Sequence, residues 1–387
     1  MNRDDLDIER LGAAAVLDAL SDGVYVTDCE RKILFWNQAA EKITGWKRED
    51  VVGRSCWDDI LIHIDKDGHA LCGHEFCPLH RSIVTGNRSQ CPLTVFAQTR
   101  SGKRIPVEVT VSPIRDAAGQ IVGGIEIFRD LSAMFRDLDL ARIIQMHALE
   151  CELPKDERLN VNVLYTPQEL VGGDFYRIEQ LDPQRYCALV ADVTGHGITS
   201  ALFVMQIRSM WEDLRRHRVD ASSFMAKLGG QLHVMCNRDD FFATAAYVVV
   251  DASTGALECV NAGHPSPLIA HADGGVERLA AMGPALGFSE DPRYASAAAQ
   301  LEPGETLLLY TDGATEVFNA EDSELSEQGL MGLVAEQDLS KGRSALEKIE
   351  ERLLKFCNQL RLPDDMTLIS IHLTSAAGDR LASGATG

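Results

Sequence analysis

The chain has 387 residues, 45% of them hydrophobic, and its 58 acidic against 37 basic side chains give a formal net charge of −21. Such a length implies two or three domains, and the apolar fraction suffices for ordinary cores. The acidic balance, without a basic stripe, argues against nucleic acid as a partner, and no apolar run approaches the ~20 residues of a membrane span. Ten scattered cysteines read as reduced thiols rather than a disulfide framework. The charged start, Met1 to Arg10, has no secretory apolar core, so a cytoplasmic protein is expected.

In chain order, residues 23–27 and 32–36 are β-like runs separated by a polar turn, followed by short helical pieces at 38–44 and 80–85. Three further strands are predicted at 93–99, 105–111 and 121–128, with Ser101-Gly102-Lys103 and Ala117-Ala118-Gly119-Gln120 as turns. This order, with Asp22-Gly23-Val24, Trp36-Asn37-Gln38-Ala39-Ala40, Gly45-Trp46 and Val52-Gly53-Arg54, resembles a PAS sensor domain over residues 12–129. The resemblance implies a compartment for a small ligand or a dimerisation module. Cys56, Cys72, Cys77 and Cys91 lie among His63, His69, His74 and His80. They are expected to be buried as small apolar side chains, or else to form a metal or redox site, although the spacing fits no standard ligand pattern.

Residues 130–153 read as a helical linker. Leu131, Met134, Leu138, Ala141, Ile144 and Ala148 recur at steps of three and four, a stripe suited to pairing with a second chain. Residues 154–374 form one further domain, with strands expected at 161–166, 186–193, 243–250, 256–261, 268–271, 306–311 and 366–373. Helices are expected at 199–217, 221–237 and 344–361. The Ala/Gly/Ser-rich tail, 375–387, is expected to be disordered.

Four acidic clusters in this half carry the chemistry: Val171-Gly172-Gly173-Asp174, Asp192-Val193-Thr194-Gly195-His196-Gly197, Tyr310-Thr311-Asp312-Gly313 and Pro363-Asp364-Asp365-Met366-Thr367. Each places an aspartate at the edge of a strand-like run. Aspartates brought to one face crowd together only if a cation neutralises them. Hard oxygen ligands without paired His or Cys suit Mg²⁺ or Mn²⁺, and three or four carboxylates suit two ions that activate a water for attack on phosphorus.

These clusters, with Asn261-Ala262-Gly263-His264-Pro265 and Glu316, resemble in order the SpoIIE-like branch of the PPM metal-dependent serine/threonine phosphatases. The resemblance implies an α+β chain whose C-terminal domain is an αββα sandwich with two metals at one end. It implies that Asp192 bridges the ions, that the Val193 carbonyl completes one sphere, that Asp312 with Asp364 or Asp365 ligates the other, and that Asp174 supports the first. His196 is a candidate general acid, with Gly195, Gly197 and His264 in substrate-binding loops. Arg177 replaces an acid found in many relatives and is a candidate contact for substrate phosphate. The implied function is a signal-regulated phosphatase acting on phosphoserine or phosphothreonine of a regulatory protein, such as a STAS-type anti-sigma-factor antagonist. A homodimer through the PAS domain and linker goes with it. Two alternatives are a non-catalytic docking module and, from Gly172-Gly173-Asp174-Phe175, a diguanylate cyclase.

Overall fold

The structure, a computed structural model, describes residues 8–73, 76–89, 92–195, 197–236 and 241–374, and divides into two compact units between Leu138 and Asp139. The tail, expected to be disordered, lies outside the described residues. No described helix is long and apolar enough to cross a membrane.

The first unit runs α1 (Ile8–Asp18), β1 (Gly23–Asp28), β2 (Ile33–Trp36), α2 (Gln38–Thr44), α3 (Arg48–Val51), α4 (Pro78–Thr85), β3 (Leu93–Gln98), β4 (Arg104–Arg115) and β5 (Ile121–Asp130). The strands form one antiparallel sheet in the order β2-β1-β5-β4-β3. Asn37 explains the early turn into α2: its Oδ1 accepts from the Ala40 amide that caps the helix and from the Val24 amide on β1. Cross-strand register puts Tyr25 opposite both Trp36 and Glu126. These three, with Phe128, lie on the covered face of the sheet, packed with Ile60 and Leu79.

Helix α5 (Ser132–Leu149) contains the division between the units. Its predicted apolar stripe is divided too: Met134 and Ile144 stay exposed, whereas Ala148 is buried in the second unit with Gln145 and Leu149.

The second unit stacks two five-stranded antiparallel sheets. β6 (Leu159–Thr166), β7 (Asp174–Gln180) and β8 (Arg185–Val193) lead into α6 (Ile198–Asp213) and α7 (Ala221–Cys236). There follow β9 (Ala243–Asp251), β10 (Ala256–Ala262), β11 (Leu268–Ala270), β12 (Val276–Arg278), β13 (Ala297–Gln300) and β14 (Thr306–Tyr310). Helices α8 (Ser326–Ala335) and α9 (Arg343–Cys357) precede β15 (Met366–Leu373). The sheet orders are β13-β10-β9-β8-β7 and β12-β11-β14-β15-β6. Alternate residues of β8 divide between two cores: Tyr186, Ala188 and Val190 face Ile369, Ile371 and Leu309 of the other sheet, whereas Cys187, Leu189 and Ala191 pack on α6 and α7. The second sheet meets α8 and α9 through Leu308, Tyr310, Leu346 and Ile349. Both central strands are thus covered on each face, which is why they read as unbroken apolar runs. The layers are helix, sheet, sheet, helix. Strand β7, missed in the sequence, is an edge strand interrupted by Arg177 and Glu179.

Candidate active site

The four acidic motifs meet at one end of the sandwich because of strand polarity. β8 ends on Asp192 and Val193, its antiparallel neighbour β7 begins on Asp174, and the two aspartates are direct cross-strand partners. In the other sheet β14 ends just before Asp312, while β15 begins just after Asp364 and Asp365. The Thr311 amide donates to the Thr367 carbonyl (3.1 Å), so these two ends are adjacent as well. Asp174 and Asp192 share the strand face of Ile178 and Val190, toward the opposing sheet.

Hydrogen bonds fix the cluster. Asp174, 1% exposed, receives the Thr311 hydroxyl (2.9 Å) and the Thr367 hydroxyl (2.6 Å) on Oδ2, and the Thr367 amide in turn donates to Thr311 Oγ1 (2.8 Å). Asp365 is buried and accepts the Gln168 amide on Oδ1 (2.7 Å) and the Gly173 amide on Oδ2 (2.5 Å). It therefore ties the turn between β6 and β7 to the start of β15. Asp364 is exposed beside it. Gly313 is required by this approach, since a Cβ there would collide with the Asp365 carbonyl. Gly197 starts α6 at φ 81°, ψ −147°, a conformation that favours glycine. The Gly173 carbonyl receives the Val193 amide (3.1 Å), locking Gly172-Gly173-Asp174 onto the end of β8. From α5, Gln145 grips the Gly172 peptide at both ends: Nε2 donates to the carbonyl (2.7 Å) and Oε1 accepts from the amide (3.0 Å). Thr311, Thr367 and Gln145 are participants that sequence reasoning missed. Both threonines stand inside the quoted acidic motifs, and that placement was the available signal.

Electrostatically the cluster is overloaded. Burial first, then repulsion from Asp312, Asp364, Asp365 and Glu316, pushes the Asp192 carboxyl up to about 8. Asp312 is pushed up to about 6 by burial and by Asp364 and Glu316. Asp174 is raised by burial and by Asp192, against the two threonine bonds. Its Oδ1 is buried without a hydrogen-bond partner. An all-oxygen donor set, mutual repulsion and an orphaned carboxylate oxygen together fit hard divalent cations. Among the described residues, no three side-chain ligand atoms of this cluster come within 4.8 Å of one another.

Two residues proposed for substrate contact are placed elsewhere. Arg177 lies on the β7 face opposite to Asp174, three residues along the strand, and donates to the Glu150 carbonyl (2.6 Å) beyond α5. That bond ties the strand to the segment after α5. His264 is buried: Nδ1 pairs with Thr244 Oγ1 (2.7 Å), and its main chain is bound at both ends by the Asn261 amide group. Burial holds its imidazole down to about 3, and so neutral. Its bonds to Asn261 shape the turn after β10. Gly195 lies in the exposed loop after β8 at φ 90°; His196 lies outside the described residues. Gly172–Asp174, the segment behind the cyclase alternative, is bound into the acid cluster.

In the first unit Cys56 and Cys77 are buried, and Cys72 Sγ accepts from the His63 amide (3.1 Å). Cys91 and His74 lie outside the described residues. Among those described, no three of these thiols and imidazoles come within one ion's span; the trio that does is Asp65, Asp67 and His69 in a turn, where Asp65 caps the His69 amide.

Comparison with known proteins agrees with this geometry. Residues 182–374 match the family model for stage II sporulation protein E (SpoIIE), and residues 21–133 match that for a PAS domain. The chain is 32% identical over 181 residues to the phosphoserine phosphatase RsbP of Bacillus subtilis (strain 168), covering 46% of this chain and 45% of that protein. It is 27% identical over 237 residues to the phosphoserine phosphatase RsbU of the same organism, covering 61% of this chain and 70% of that one. The match thus spans less than half the length of RsbP. The SiaA-PP2C domain of Pseudomonas aeruginosa shares the fold, with a TM-score of 0.53 at 23% identity, over 62% of this chain and 97% of that domain. The C-terminal unit therefore belongs to the SpoIIE-type PP2C serine/threonine phosphatase family, and a PAS domain precedes it in the chain.

Proposed function

We propose that the chain hydrolyses phosphoserine and phosphothreonine on a regulatory protein, at a two-ion Mn²⁺ or Mg²⁺ centre at the end of the sandwich. The convergence of Asp174, Asp192, Asp312 and Asp364 from two sheets carries this reading. In it Asp192 is shared between the ions, the Val193 carbonyl joins one side, Asp312 and Asp364 hold the other, and Asp174 offers its unpartnered Oδ1. Asp365 drops out of the ligand set, because both of its oxygens are already occupied by backbone amides.

A pair of ions bound there supplies an activated water and neutralises phosphoryl oxygens. The chain's own contribution is orientation. Thr311 and Thr367 orient Asp174 through its Oδ2, Asp365 fixes the Gly173 turn, and Gln145 fixes Gly172. Phosphoserine as substrate is supported by the two Bacillus relatives, both named phosphoserine phosphatases. A STAS-type antagonist in the cytoplasm is the proposed partner, with the PAS unit as sensor and α5 as the element through which a homodimer transmits its state.

The test is turnover of p-nitrophenyl phosphate and a phosphoserine peptide by the full chain with Mn²⁺, then with EDTA. Turnover should require the metal and disappear in Asp312→Ala. Equal rates in EDTA would overturn the metal centre, and inertness toward both substrates would overturn the phosphatase reading.

A further inference from the structure

Beside the acid cluster, a groove of about 180 Å³ is lined by Pro167, Leu354, Leu360, Leu362, Arg361 and Asp364. It runs between the end of β6 and the C-terminal turn of α9. We propose that this groove reads the residues next to the phosphorylated serine, taking an apolar side chain among Leu354, Leu360 and Leu362 and an acidic one at Arg361. The assignment rests on the phosphatase reading above and specifies which phosphopeptides the site prefers.

Position is the first argument. Asp364 lines the groove and also contributes to the field on Asp192, so an occupant of the groove is next to the reacting phosphoryl group. Size is the second. Small-molecule sites run to roughly 300–1,000 Å³, so about 180 Å³ is too little for a drug-sized ligand and enough for one or two side chains. Rigidity is the third. Asn358 ends α9 in the left-handed region at φ 52°, turning Leu360-Arg361-Leu362 back toward β15. Opposite, Gln168 donates its amide to Asp365 and its Nε2 to the Pro363 carbonyl, so one network holds both the groove wall and the acid cluster. The other acid in the groove, Glu350, already accepts the Thr166 hydroxyl (2.6 Å).

Charge and exposure decide the occupant. Leu360 is 72% exposed, an apolar side chain beside a site otherwise built of acids. Arg361 has no ion-pair or hydrogen-bond partner among the described residues. On a chain of net charge −21, an unengaged guanidinium next to the reacting centre is what draws an acidic peptide in, and its fork of donors matches a carboxylate.

The experiment compares kcat/KM of the full chain with Mn²⁺ on phosphoserine peptides flanked by alanine only, by leucine, by leucine plus glutamate, and by leucine plus lysine. Wild type should prefer the leucine and glutamate peptide over the alanine one by about 10-fold, mostly through KM, the scale a single apolar pocket provides. Leu360→Asp should erase the leucine preference, and Arg361→Glu should invert the order of the glutamate and lysine peptides. These are ratios within one preparation, so partial loss of folded protein does not mimic them. Turnover with no flank preference, or ratios unchanged in both variants, overturns the groove alone. Failure of wild type on every peptide and on p-nitrophenyl phosphate overturns the phosphatase reading, and the groove with it.

Discussion

Two carboxyls, the half-buried Asp192 at the end of the sandwich and the buried Glu126 in the PAS sheet, are both pushed up to about 8, for different reasons. Glu126 is raised by burial alone, against a hydrogen bond from Tyr25. Its other neighbour, His63 (Nε2 to Oε1 3.7 Å), is held down to about 4 by burial and the Arg104 charge, and so is neutral. The thiols of Cys56, Cys72 and Cys77 complete the surroundings. A single proton on Glu126 resolves that site. Asp192 is raised by burial together with four other acids, and protonating it would leave the remaining repulsion in place. Only added positive charge resolves that cluster while keeping every acid available as a ligand. An elevated carboxyl pKa therefore does not by itself mark a reactive centre; the charges around it distinguish a buried acid from a cation site.

The largest effect expected from this contrast is Asp192→Asn. If Asp192 is the shared ligand proposed above, its loss should remove several kcal/mol of transition-state stabilisation, a fall in kcat/KM on the order of 10³-fold or more. The same substitution relieves repulsion, so the metal-free variant should unfold at a higher temperature than metal-free wild type. Mn²⁺ at a hundred times its Kd should stabilise wild type by about 2.7 kcal/mol and the variant by much less. Glu126→Gln should leave the Mn²⁺ response unchanged. Equal Mn²⁺ stabilisation of wild type and Asp192→Asn would break the comparison.

Glu126→Gln sharpens the other side. The native pKa of Glu126, about 8, lies above its ordinary 4.5, so its neutral form belongs to the folded state. Between pH 4.5 and 8 the unfolded chain ionises this group while the folded chain does not, so stability falls as pH rises across that window, by at most about 1.4 kcal/mol per pH unit. His63, depressed from 6.5 to about 4, acts in the opposite window: the fold loses stability as pH falls from 6.5 toward 4. Urea unfolding at pH 5 and pH 8 should show wild type losing stability toward pH 8 and Glu126→Gln losing markedly less. Parallel pH profiles would show that Glu126 is charged in the folded protein.

The acid cluster was legible because Asp192, Asp312 and Asp364 each stand at the end of an apolar strand, and strand ends in antiparallel sheets gather at one edge. β8 and β15 illustrate this, since burial on both faces makes them continuous runs with conspicuous polar ends. What stayed hidden depends on tertiary partners. Arg177 follows the motif Gly172-Gly173-Asp174 in sequence, yet strand alternation turns it to the far face, where the Glu150 carbonyl takes it. The motif around His264 implies a substrate-binding loop, and the burial of that side chain and its bond to Thr244, twenty residues earlier in the chain, could not be seen from the motif. Asp364 and Asp365 were indistinguishable in sequence; the Gln168 and Gly173 amides, almost two hundred residues away, separate them.

Gln145 gives the smallest effect and the finest test of how the cluster is held. Among the described residues, its two bonds to Gly172 are the only side-chain hydrogen bonds from α5 to an acidic motif, and Gly173, next in the chain, holds Asp365. Gln145→Ala leaves a buried N–H and a buried carbonyl without partners, at about 1–3 kcal/mol. Gln145→Glu keeps an acceptor for the Gly172 amide but sets a carboxylate against the Gly172 carbonyl, and so should be worse than alanine. If Gln145 acts by positioning the turn that carries Asp174, both variants should raise the Mn²⁺ concentration needed for half-maximal turnover by several-fold, with excess Mn²⁺ restoring most of the rate in Gln145→Ala. A loss of folded protein alone would lower the maximal rate and leave that Mn²⁺ midpoint where it was, and this outcome would reduce Gln145 to a packing residue.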